Sequence, residues 1–177
     1  MQLGLGQVLW IPVGLAPHKP VQDEPGPAHR LELCRAAIAD DPRFEVCALE
    51  LQRPGPSYTV DTLSELHRTD PDSELHLIVG ADAAAGFPSW REPERILSLA
   101  RLAVARRRGT SWESIQRALA HVRGGERADF FRMPWIGISS TMIRSRVKTG
   151  EPLRYLVPDG VGDYILANGL YGGAAGC

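Results

Sequence analysis

Three consecutive hydroxyl residues followed by an arginine mark the stretch Ile138-Ser139-Ser140-Thr141-Met142-Ile143-Arg144-Ser145-Arg146. An apolar run precedes it and a helical pattern follows, which predicts a strand-to-helix junction. Ser140 and Arg144 are four apart and Thr141 and Arg144 three apart, so one helix face gathers all three. Beside them lie the first-turn amides, which have no partner within the helix. Hydroxyls, amides and a guanidinium aimed at one point suit the oxygens of a polyphosphate. Each exposed helix-terminus charge is worth only about 0.3–1 kcal/mol, so the cluster matters more than any member. Plain N-capping by Ser139 or Ser140 accounts for the hydroxyls alone.

Other candidate groups also sit where apolar runs end. Pro17-His18-Lys19-Pro20 follows the first run, and Lys19 is one of only two lysines, with Lys148. A histidine and a lysine there could hold phosphate oxygens; solvated loop charge is the simpler alternative. Ser57-Tyr58-Thr59-Val60-Asp61-Thr62-Leu63 opens a predicted helix. It reads equally as a cap by Thr59 or as a helix N-terminus offered to an anionic group. Asp82 in Gly80-Ala81-Asp82 could accept from two ribose hydroxyls or cap the next helix. Trp90 could stack on a heteroaromatic ring or fill a core. Of Arg106-Arg107-Arg108, at most one is expected to reach a nucleotide.

Several familiar patterns are not met. Gly4-x-Gly6 precedes a predicted strand and has Leu9 where a dinucleotide fingerprint needs glycine. No GxxxxGK[ST] phosphate loop occurs, and Gly137-Ile-Ser139-Ser140-Thr141 has no closing glycine for a nucleophile elbow. The five histidines show no paired metal spacing. Cys34, Cys47 and Cys177 match no zinc motif and read as reduced thiols of a cytoplasmic protein.

The elements that must position these groups alternate. Strands are expected at Val8–Val13, Phe44–Leu49, Leu75–Val79, Arg101–Ala105 and Phe130–Ile138. Helices are expected at Ala28–Ala39, Thr59–His67, Glu92–Ala100, Thr110–Val122, Ser140–Val147 and Asp159–Ala167. The fourth opens with a Thr110-x-x-Glu113 capping box, and Gly169 stops the last. This alternation predicts an α/β fold, a doubly wound parallel sheet with helices on both faces. Ligands of such sheets lie at the carboxyl ends of the strands, so the post-strand loops 14–26, 49–58, 80–90, 106–111 and 138–141 are the place for a site.

A chain of 177 residues with 44% hydrophobic and 23% charged residues suits one globular domain. A formal net charge of −1 supplies no general attraction to nucleic acid or anionic lipid. Gly and Pro number 18 and 14, which predicts many turns between short elements. No apolar stretch is long enough to cross a membrane, the best candidate, Ile96–Ala105, being broken by Arg101. The N-terminus carries no signal-peptide pattern.

Taken in order, VLWIPVGLAPHK, SYTVDTL, GAD…F…W, the arginines up to Gly109, ISSTMIR and YLVPDGVGDYILANGLY resemble the bacterial nicotinate-nucleotide adenylyltransferases. The resemblance runs from about position 8 to 171 and implies a Rossmann-like nucleotidyltransferase domain over 1–177, with a C-terminal helical part over about 139–171. It implies adenylyl transfer from ATP to nicotinate mononucleotide in NAD biosynthesis, with Mg2+ accompanying the ATP. His18, Lys19, Ser139, Ser140, Thr141 and Arg144 would hold ATP phosphates, and Asp82 the ATP ribose. Tyr58, Thr59 and Trp90 would hold the nicotinate, and Arg107 would contact a nucleotide, with Arg108 standing where the family usually has proline. The resemblance implies no nucleic-acid or membrane partner, and a homo-oligomer fits as well as a monomer. In the family mechanism the mononucleotide phosphate attacks the α-phosphorus of ATP in line and pyrophosphate leaves, so positioning and charge neutralisation carry the catalysis.

The family pattern also begins with a strand, a GGTFDPxHxGH loop and a helix that have no counterpart here, so its two loop histidines transfer to no residue and no catalytic residue is assigned. The expectation is a chain N-terminally truncated relative to the family, missing its first central strand and with negligible turnover by itself. A non-catalytic nucleotide-binding remnant, or an adenylyltransferase with another acceptor, are the alternatives.

Overall fold

The computed structural model describes residues 3–16, 25–106, 111–134 and 136–172. The chain divides into two compact units, residues 1–3 with 58–135, and residues 4–57 with 136–177.

The first unit is built on a parallel sheet of β3 (His76–Gly80), β4 (Arg101–Arg106) and β5 (Asp129–Arg132), with β4 in the middle. Val79 pairs with Val104, and Val104 with Phe130. Leu102, Ala103, Val104 and Ala105 of β4 are all buried, as a central parallel strand covered on both faces requires. Helices α3 (Thr59–Thr69), α4 (Ala81–Ala85), α5 (Pro93–Leu99) and α6 (Trp112–Leu119) make the crossovers and flanks. Val60 and Leu63 of α3, Ile96 of α5, and Ile115 and Leu119 of α6 bury helical faces in one core with Phe87.

The second unit pairs β1 (Val8–Trp10) in parallel with β2 (Phe44–Val46), Leu9 lying opposite Glu45. Its helices are α1 (Pro27–Ile38), α2 (Leu49–Gln52), α7 (Ser140–Lys148) and α8 (Asp159–Ala167). Ile143 and Val147, one turn apart on α7, pack with Leu153, Ile165 of α8 and Leu170 into a second core. Among the described residues, β1 pairs only with β2 and β3 only with β4.

Several expected boundaries are corrected. The first strand ends at Trp10 and not Val13, and the second at Val46 and not Leu49. The fifth ends at Arg132 and not Ile138, because Pro134 has no N–H to give a ladder. The post-strand segment 49–58 contains α2, and 80–90 contains α4 and a tight turn at Phe87–Ser89. Helix α6 is capped by Ser111, whose hydroxyl accepts from the Ser114 N–H at 3.4 Å, and it ends at Leu119. Thr110 lies outside the described residues.

Candidate functional site

In the first unit, four expected ligand residues stand where strands and helices hand over. Tyr58, not Thr59, occupies the cap position of α3, and no side chain caps that helix. The Tyr58 carbonyl accepts from the Asp61 and Thr62 N–H groups at 3.1 and 3.2 Å and from the Thr62 hydroxyl at 3.4 Å, which closes the first turn. Thr59 is therefore the first helical residue, half-buried in the leading turn of an eleven-residue helix. Asp82 lies in the first turn of α4, directly after β3, and is exposed. Trp90 is half-buried, with its ring 5.3 Å from that of Phe87.

Sequence reasoning missed the residue that ties two of these together. The guanidinium of Arg91 lies over the Tyr58 ring, 4.6 Å from its centroid. Its Nη1 is 3.8 Å from Asp61 Oδ2 and its Nε 3.7 Å from Glu92 Oε1. The loop bearing Trp90 is thereby held against the entry of α3. The signal available in the sequence was an arginine directly following the candidate stacking tryptophan.

In the second unit, the Ser139 hydroxyl accepts from the Met142 N–H at 3.2 Å and caps α7. Ser140 and Thr141 are exposed in the first turn, and Arg144 is half-buried one turn on. The capping alternative thus describes Ser139, while Ser140, Thr141 and Arg144 share the helix face that their spacing predicts. His18, Lys19 and Arg107 lie outside the described residues.

The exit of β1 is held by a second group that the sequence did not signal. Arg30 Nη2 donates to the Val13 and Gly14 carbonyls at 2.6 and 2.9 Å. The Gly14 N–H donates to Ser57 Oγ, and the Ser57 N–H donates to the Leu15 carbonyl at 2.8 Å. Nearby, burial pushes the Cys34 thiol up, against the opposing pull of Arg30.

This chain matches the cytidylyltransferase-like family over residues 3–146. It is 46% identical over 169 residues to a protein of Roseiflexus sp. named probable nicotinate-nucleotide adenylyltransferase, covering 96% of this chain and 84% of the relative. An Arthrobacter sp. protein of the same name is 38% identical over 174 residues, with 98% and 81% covered. The chain belongs to the nicotinate-nucleotide adenylyltransferase family. Nicotinic acid mononucleotide adenylyltransferase of Plasmodium falciparum, in structures complexed with APC and with NaAD, superposes on the chain with TM-scores of 0.74 and 0.72. At 16% identity and 85% coverage of that protein, the likeness is one of fold. This adenylyltransferase-family chain contains no helix long and apolar enough to cross a membrane among its described residues.

Proposed function

We propose that this chain transfers the adenylyl group of ATP to the phosphate of nicotinate mononucleotide, giving deamido-NAD and pyrophosphate in NAD biosynthesis. The observation that carries the reading is the kinship over nearly the whole chain, 46% identity across 96% of it. The placement of Tyr58, Thr59, Asp82 and Trp90 at the strand ends and helix entries of a parallel sheet supports it.

In this reading Tyr58, Thr59 and the first amides of α3 receive the nicotinate, and Trp90 stacks on the pyridine ring. Asp82 accepts from the hydroxyls of the ATP ribose. Ser139, Ser140, Thr141 and Arg144 hold ATP phosphate oxygens, together with His18 and Lys19. Arg107 contacts a nucleotide. An oxygen of the mononucleotide phosphate forms a bond to the α-phosphorus as the bond to the β-phosphate oxygen breaks, and pyrophosphate carries away that electron pair. No protein nucleophile is needed; oriented amides and cations stabilise the charge that builds on the phosphates.

Among the described residues no three His, Cys, Asp or Glu side chains form a group that could hold a metal ion. In this reading the divalent ion comes in on the substrate phosphates, as Mg2+ commonly does. Such an ion would neutralise the leaving pyrophosphate.

The test is pyrophosphate release from ATP with nicotinate mononucleotide, against nicotinamide mononucleotide and no acceptor. Release that depends on the nicotinate acceptor supports the reading. The alternative, a chain that binds nucleotide without turnover, draws on the lack of any His-x-Gly-His in the sequence. Saturable ATP binding with no release under any acceptor would establish that alternative instead.

A further inference from the structure

We infer that Arg91 sets the preference for an acid over an amide on the pyridine ring, a role that rests on the nicotinate reading above. Three features of its surroundings point there.

The first is placement. Arg91 directly follows Trp90, and its guanidinium is stacked 4.6 Å from the Tyr58 ring centroid. The cation therefore lies at the entry of α3, the helix N-terminus expected to meet the ring substituent, one residue on from the tryptophan expected to stack on the pyridine. The contact with tyrosine holds the cation beside the helix entry, where a carboxylate could reach it in place of the loose pairs described next.

The second is loose pairing. The Asp61 and Glu92 carboxylates approach at 3.8 and 3.7 Å, well beyond the roughly 2.7–2.9 Å of a charge-assisted hydrogen bond. With its side chain 51% exposed, Arg91 holds both only as loose ion pairs that solvent screens. A substrate carboxylate at hydrogen-bond distance would compete favourably, and an uncharged carboxamide would not.

The third is backbone strain. Glu92 has φ 50 and ψ 56, left-handed values for a residue that is not glycine. Pro93 follows it and restricts its backbone further. Such conformations persist where the surroundings over-determine them, and they cluster at ligand-binding sites. Here the strained residue adjoins the one that carries the cation.

The experiment is calorimetric titration of the whole chain with nicotinate mononucleotide and with nicotinamide mononucleotide, for wild type, Arg91→Gln and Arg91→Lys. Wild type is expected to prefer the acid. Arg91→Gln should lose about tenfold in affinity for the acid, equivalent to about 1.4 kcal/mol, with amide binding unchanged. Arg91→Lys, which keeps the charge but not the fork, should fall between the two. Equal losses for both ligands would mean that Arg91 only props Tyr58, and an unchanged preference would mean that it plays no part; either overturns the inference and leaves the nicotinate reading standing. A wild-type chain that binds neither mononucleotide overturns that reading, and the inference with it.

Discussion

The Gly14 N–H donates to the Ser57 Oγ at 3.2 Å, joining positions 43 residues apart in the sequence. A Cβ at position 14 would lie 2.3 Å from the Glu50 carbonyl oxygen and 2.9 Å from Ser57 Oγ. Only glycine lets the exit of β1 approach α2 so closely. Gly14→Ala should therefore lower stability by about 1–3 kcal/mol, the usual cost of overpacking. Ser57→Ala, which removes one hydrogen bond, should cost about 1 kcal/mol. Urea unfolding followed by circular dichroism checks both, and an alanine at 14 as stable as glycine would show that the loop relaxes freely.

The strain at Glu92 gives a second prediction. Left-handed backbone costs a residue with a Cβ roughly 1–2 kcal/mol, a cost that glycine escapes. Both Glu92→Gly and Glu92→Ala lose the 3.3 Å pair with Arg95, so the comparison isolates the backbone. Glu92→Gly should be the more stable of the two by about 1 kcal/mol after its greater unfolded-state entropy is counted. Parallel thermal melts decide it.

Ser139 and its neighbour separate folding from binding. Ser139→Ala removes the acceptor for the Met142 N–H and should cost about 1 kcal/mol of stability. Under the proposed function it should also weaken ATP binding. Ser140→Ala makes no change at the cap and should weaken ATP binding with stability held. Melting temperatures with and without ATP distinguish the two patterns.

The pair of Asp41 and Arg43 should leave a trace in acid. Hydrogen bonds from the Arg43 side chain and backbone hold the Asp41 carboxyl down at about 2. A carboxyl held low in the folded chain stabilises it above the unfolded value of about 4. That contribution fades as pH falls through about 2. Asp41→Asn should therefore melt slightly below wild type at neutral pH, with the difference shrinking between about pH 4 and 2. The effect is small because the pair is at the surface. A difference constant across that range would show the bond adds nothing.

Much of this architecture is legible in the residues. The helix Asp159–Ala167 has the bounds its apolar spacing predicts, because one-turn repeats such as Val161 and Ile165 report burial directly. Strand ends are less legible. Pro12 is buried, so the apolar run from Val8 to Val13 outlasts a ladder that stops at Trp10. Apolarity records contact with a core, and pairing is a separate matter. Helix α4 hid inside an expected loop because ADAAA carries no contrast between faces. In the candidate site, Tyr58, Thr59, Asp82 and Trp90 were accessible to reading because each directly follows or precedes an element end. Arg91 and Arg30 were not. Their meaning lies in partners far along the chain, Tyr58 for one and the Val13 and Gly14 carbonyls for the other.

The exposure of Ile78 in β3 has a consequence for handling the protein. That strand pairs only with β4 among the described residues, and its central Ile78 is 41% exposed. A large apolar side chain exposed on a strand is a surface on which other polypeptides can gather. Concentrated samples should cloud well before the fold itself melts, and the cloudiness should recede when a lysine replaces Ile78.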